Sequence, residues 1–99
     1  MQFKRDLRQR VMDGTITTSV RIWQKPRVRI GGRYPLNHEG VSGNVVVHNI
    51  REIGLDDITA RMARDSGFLG VADLLKTAKH GSGERVFYIE FEFQGLRND

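Results

Sequence analysis

Apolar residues recur four apart at the start of the chain and two apart further on, and this change of period divides it into elements. Phe3, Leu7 and Val11, joined by Met12, predict a short helix over Lys4–Met12 that Gly14 closes. The stretch "GTITTSVRIW", Gly14 to Trp23, then alternates. Ile16, Thr18, Val20 and Ile22 fall on one face of a predicted strand; Thr17, Ser19, Arg21 and Trp23 fall on the other. Pro26 breaks that strand, because it cannot donate to a ladder. Val28–Ile30 and Arg33–Leu36 flank Gly31-Gly32, a pair suited to a hairpin turn, and Pro35 puts the second segment at an edge or a bend. "NHEGVSG" reads as a turn-rich loop. "NVVVHNI" opens a long β-branched strand that reaches Ile53 and bends near Asn49.

The period then returns to that of a helix. Asp56 or Asp57 is placed to cap a helix carrying Ile58, Met62 and Ala63, which Gly67 ends. A further helix turns Val71, Leu74, Leu75 and Ala78 inward and stops at Gly81. After the loop "HGSGER", the run "RVFYIEFEF" alternates cleanly, with Phe87, Ile89, Phe91 and Phe93 on one face. A helix, a run of strands, two helices and a strand give an α+β fold with a mostly antiparallel sheet. Too few residues remain for two packed sheets, so the expected form is a single domain, residues 1–99 with a core over about 3–93, curled into a small β-barrel with about three short helices. The last five residues read as frayed.

Composition narrows the chemistry. The 99 residues include no cysteine, which excludes disulfides and thiolate metal sites. The opening "MQFKRDLRQR" lacks the apolar core of a secretory signal, and no apolar run reaches membrane-spanning length. The expectation is a soluble cytoplasmic protein with no membrane partner and no cofactor. The net charge of +4 is unevenly spread: residues 1–33 hold nine Lys/Arg against two Asp, and residues 34–99 hold seven against ten Asp/Glu. A positive field concentrated in the first third attracts phosphate-bearing partners.

The polar face of the first strand lies inside that field. Arg21 offers a rigid fork of donors, Trp23 a flat surface on which a base can stack, and Thr17 and Ser19 hydroxyls for phosphate or a 2′-hydroxyl. Lys25, Arg27, Arg29 and Arg33 would rim it. The glycine-rich loop after the last helix adds Lys79, Ser82 and Arg85 as donors, although "GSG" does not meet the P-loop pattern. The same residues have a plainer reading: Trp23 seals the end of the barrel, Arg21 pairs with Glu90 or Glu92, and the loop only connects. His38, His48 and His80 are scattered, and only the adjacent His38-Glu39 approaches a ligand pair, so no metal site is expected. Asp56-Asp57 suit either a helix cap or, in a ribonuclease, a metal held jointly with substrate phosphate.

Taken in order, these motifs resemble a known family. The short helix, Gly14, "TITTSVR" ending in Arg21, the Gly31-Gly32 turn, "IREIGLDDIT", "RDSGF" and the final aromatic strand follow the order seen in ASCH domains, from Phe3 to Phe93. The opening motif of that family reads Gly-x-Lys-Thr-x-Ser/Thr-x-Arg. The resemblance implies a small barrel akin to the PUA fold and association with RNA. It also brings in a bacterial branch that removes the acetyl group from acetylcytidine, using a lysine and a threonine of the strand motif and a glutamate of a later helix. Gly14, Thr17, Ser19 and Arg21 fall on matching positions, with Ser19 at the place of the nucleophile. Ile16 stands where the lysine should be, and the glutamate position falls near Ser66, with Asp65 beside it. A hydroxyl without a base is a poor nucleophile, and neither Lys25 nor Lys76 is tied to Ser19 by spacing.

The expectation is therefore a nucleic-acid-binding module, for RNA or a nucleotide, using a basic cleft of Thr17, Ser19, Arg21, Trp23, Lys25, Arg27, Lys79 and Arg85. Two alternatives stand beside it. One is a hydrolase of modified nucleosides or a ribonuclease, with Ser19 as its candidate nucleophile; the other is an interaction domain whose basic patch meets a protein partner.

Overall fold

The computed structural model describes residues 1–78 and 85–95. It is α+β, with four antiparallel strands curled into a half-barrel. Helix α1 (Arg5–Met12) leads into β1 (Thr18–Trp23), and β2 (Arg33–His38) and β3 (Val41–Ile53) follow. A 3-10 turn at Leu55–Asp57 precedes α2 (Ala60–Asp65) and α3 (Val71–Ala78), and β4 (Arg85–Gly95) completes the sheet. The order across the sheet is β1-β4-β3-β2, so the last strand lies between the first and the third. The sheet is not a closed barrel: β1 and β2 are its two edges. Pro35 sits on β2, where an edge strand tolerates a missing N–H.

The hairpin forms later in the chain than the sequence suggests. Residues 28–30 make no strand, and the tight turn is Glu39-Gly40, between the paired His38 and Val41. Both turn residues are left-handed, with φ of 49° and 80°, as a two-residue hairpin loop requires. Gly31 and Gly32 instead run alongside β3: the Gly31 N–H donates to the Val47 carbonyl, and the Val47 N–H to that of Gly32. The bend expected near Asn49 is a β-bulge, with the register slipping between Val47 and Asn49.

Caps fix the helices. The α1 helix ends before Gly14, whose φ is 82°. Thr59, not Asp56 or Asp57, caps α2: its hydroxyl accepts the Met62 N–H at 3.1 Å. The Asp57 carboxylate instead accepts the Gly54 N–H and closes the 3-10 turn. Gly67, at φ 94°, turns the chain out of α2.

The sheet is covered on both faces. Phe3, Leu7 and Val11 of the N-terminal segment pack with Trp23, Phe87, Ile89 and Phe91 on one face. On the other, Val20 and Val86 pack with Ile58, Ala63 and Leu74 of the α2–α3 layer. One expected alternation fails at its start: β1 begins only at Thr18, and Ile16 is buried in the same cluster as Trp23 while Thr17 is exposed. No helix of the described residues is long and apolar enough to cross a membrane.

Candidate functional site

The two helical layers meet the sheet at the β1 edge without closing over it. A cavity of about 510 Å³ remains there, lined by the N-terminal segment, β1, the α2–α3 connection and α3. That volume lies in the range of small-molecule sites. The turn after α2 contributes Ser66 and Phe68 to the lining; the Ser66 hydroxyl is 3.0 Å from that of Thr18, and Gly67 passes close to Leu7 and Ile16. Phe68 packs against both hydrophobic clusters and so bridges the two layers.

Arg21 is the charged centre of this cavity. Its Nε donates to the Ser19 hydroxyl at 2.7 Å and its Nη2 to the Gln2 carbonyl at 2.6 Å. Its guanidinium lies 5.1 Å from the centre of the Phe3 ring. No carboxylate among the described residues pairs with it: Glu92 is held by His48 and Gln94, and Glu90 lies across from Thr18 in the ladder. Burial accordingly lowers the Arg21 pKa, with no neighbouring acid to raise it. An ionised group removed from water without a counter-charge is a standing electrostatic cost, and an anion is what relieves it.

The expected residues divide into two groups. Ser19, Arg21 and Trp23 line the cavity. Thr17 points away into solvent, Lys25 and Arg27 lie exposed in the loop after β1, and Lys79 falls outside the described residues. Arg27 sits over the Trp23 ring at 6.0 Å. Trp23 is only 8% exposed and packs against Phe87 with ring centroids 6.0 Å apart, so it is a wall of the core and not an open stacking platform. Arg85 is committed elsewhere, since its guanidinium grips the Glu52 carboxylate at 3.1 and 2.7 Å and also reaches the Gln24 carbonyl.

Sequence patterning did not find Gln2, Phe3, Lys4, Phe68 or Thr77 as cavity residues. They come from segments more than sixty positions apart, and only the sheet order brings them to one edge. Ser66 was flagged by the family's glutamate position alone, and it does reach the cavity.

The lining is poor in acid–base chemistry. Among the described lining residues only Lys4 and Arg21 are ionisable, and there is no carboxylate or imidazole. The Ser19 hydroxyl accepts from a guanidinium, which cannot take its proton. Lys25 and Lys76 are exposed and outside the lining, and Asp65 faces Arg61 at 3.7 Å. Among the described residues no group of three or more His, Asp and Glu is assembled to hold a metal ion. No protein-family model, curated protein or solved structure matches the chain.

Proposed function

We propose that this domain is a small nucleic-acid-binding module of ASCH-like, PUA-related type, and that it takes RNA or a nucleotide into the cavity at the β1 edge. One observation carries the reading: Arg21 is half-buried beside an open hollow, with two neutral oxygens for partners and no acid among the described residues. A phosphate provides the missing charge and matches the planar fork of the guanidinium. Lys4, in the same lining, adds a second cation, and the basic first third of the chain supplies the long-range attraction. The order of motifs shared with ASCH domains points the same way. The hydrolase reading has less support, because neither a general base nor a carboxylate stands beside Ser19 in the described lining.

The test uses Trp23, the single tryptophan and part of the lining. Single-stranded RNA added at low salt changes its emission, and Arg21→Met moves the change to RNA concentrations roughly tenfold higher or more. The affinity falls with salt at about −0.7 in log–log slope for each phosphate engaged. Unaltered emission, or full binding by Arg21→Met, overturns the proposal. Acetate release from acetylcytidine that Ser19→Ala removes would replace it with the hydrolase.

A further inference from the structure

The phase of the β1–β4 ladder decides which main-chain groups of β1 are left over. The Phe91 N–H donates to the Thr17 carbonyl at 2.9 Å, and these two residues continue the register that pairs Thr18 with Glu90. They are therefore a hydrogen-bonded pair, and such pairs alternate along an antiparallel ladder. Ser19, Arg21 and Trp23 consequently turn their N–H and C=O groups toward β4. Val20 and Ile22 turn theirs to the free edge, and both residues line the cavity. No main-chain hydrogen bond among the described residues reaches these outward groups from outside the sheet. An amide and a carbonyl facing a partly apolar hollow call for a polar partner.

The shape of the hollow restricts that partner. Leu7 belongs to the layer on one face of the sheet and Leu74 to the layer on the other, with Phe68 touching both. The cavity takes lining residues from both layers and from the β1 edge between them, so a group entering edge-on along the sheet would meet the outward amides and carbonyls. An added peptide strand needs a longer free edge, with room for side chains alternating to both faces. Here β1 is only six residues long, the Ser66 hydroxyl meets the Thr18 side chain at one end, and the outward groups that line the cavity are those of Val20 and Ile22. A nucleobase meets both conditions, because it is flat and carries a donor next to an acceptor on its pairing edge.

We infer that a nucleobase enters this slot and that the main-chain N–H and C=O of Val20 read its donor–acceptor edge, while its phosphate lies toward Arg21. The inference rests on the nucleotide-binding reading above and adds how the base is recognised. Ile22 offers a second such pair one step along the edge. Recognition through main chain is recognition of pairing-edge chemistry, so methylation of that edge should be felt more strongly than a change of sugar.

The test is amide NMR of the ¹⁵N-labelled chain with the four ribonucleoside 5′-monophosphates, N3-methyl-UMP, ribose 5-phosphate and a capped tetravaline peptide. At least one nucleotide shifts the Val20 amide, ribose 5-phosphate shifts only the Arg21 Nε–H, and N3-methylation weakens UMP. Val20→Pro deletes the outward N–H without touching a ladder bond, as edge strands allow. It weakens nucleotide binding by roughly tenfold or more, since it leaves a base acceptor unpaired, and it leaves ribose 5-phosphate binding unchanged. Should Val20→Pro not fold, the wild-type spectra decide. If nucleotides and ribose 5-phosphate bind alike with Val20 unmoved, the base-reading inference fails and anion binding stands. If neither binds, the nucleotide-binding reading falls and takes this inference with it. A Val20 shift produced by the peptide and not by nucleotides overturns it in favour of strand addition.

Discussion

The Arg21 guanidinium donates to the hydroxyl of Ser19, two residues back on the same strand face, at 2.7 Å. Main-chain geometry sets this contact, since side chains two apart share a face of a strand. It uses one donor of five and leaves the charge unanswered. The pair is therefore a binding fork steadied by a hydroxyl, with the serine as its support.

From this follows a split between stability and binding. Arg21→Met keeps the volume and removes a half-buried charge that has no counter-ion among the described residues. Removing a desolvated charge recovers its hydration cost, which offsets the two hydrogen bonds lost to Ser19 and Gln2. The urea midpoint of the variant therefore stays level or rises, while RNA affinity at low salt drops by roughly tenfold or more, the loss of at least one charge-assisted hydrogen bond. A large fall in the midpoint with binding intact would mean that Arg21 is structural.

Trp23 is predicted to behave as core. Its indole is buried against Phe87 under the Arg27 guanidinium. The free protein should emit at short wavelength and be quenched weakly by acrylamide. Trp23→Ala should cost about 3–5 kcal/mol, the usual range for emptying a large aromatic site, whereas Trp23→Phe should retain most of the stability. Long-wavelength emission with efficient acrylamide quenching contradicts the burial.

Where periodicity is strict, the fold could be read from the chain. The four-residue stripe of Phe3, Leu7 and Val11 became α1 against the sheet, and Phe87, Ile89 and Phe91 became the inward face of β4. Local turn chemistry was harder to rank. Gly31-Gly32 and Glu39-Gly40 both permit a left-handed turn, and only pairing with β3 selects the second. The candidate site was legible for Ser19, Arg21 and Trp23 but not for its other half. Gln2 and Thr77 meet at one edge because β4 inserts beside β1, a long-range choice that no local pattern records. The Arg85 pairing was hidden for a similar reason: its partner Glu52 lies 33 residues away, on the neighbouring strand.

Gly67 separates backbone strain from packing. A Cβ there would stand 2.7 Å from Ile16 Cδ1 and 2.7 Å from Leu7 Cδ2, at a φ of +94°. Gly14 has a similar φ of +82° but nothing within 4 Å. Gly14→Ala should therefore cost only the left-handed penalty, about 1–2 kcal/mol. Gly67→Ala should cost clearly more, because it adds overpacking of about 1–3 kcal/mol against Leu7 and Ile16. Thermal or urea unfolding of the two variants compares them directly, and equal losses would show that Leu7 and Ile16 move aside freely.

The Arg85–Glu52 bridge makes two linked predictions. Since Glu52 occupies the Arg85 guanidinium, Arg85→Ala should leave RNA affinity unchanged even though it removes a positive charge. The same bridge gives stability an acid dependence. The hydrogen bond from Arg85 holds the Glu52 pKa below its ordinary 4.5. A carboxylate whose pKa is depressed on folding stabilises the native state above the unfolded pKa, and that contribution disappears as pH falls through the folded value. Glu52→Gln should therefore be less stable than wild type at neutral pH, by a small, salt-sensitive margin as befits an exposed pair. The difference should begin to narrow as pH falls past 4.5 and vanish once Glu52 is protonated in the folded state as well. Urea midpoints measured across that window check the sign. A margin that persists at the acid end would assign the loss to packing of the Glu52 side chain, and one that widens on acidification would contradict the bridge.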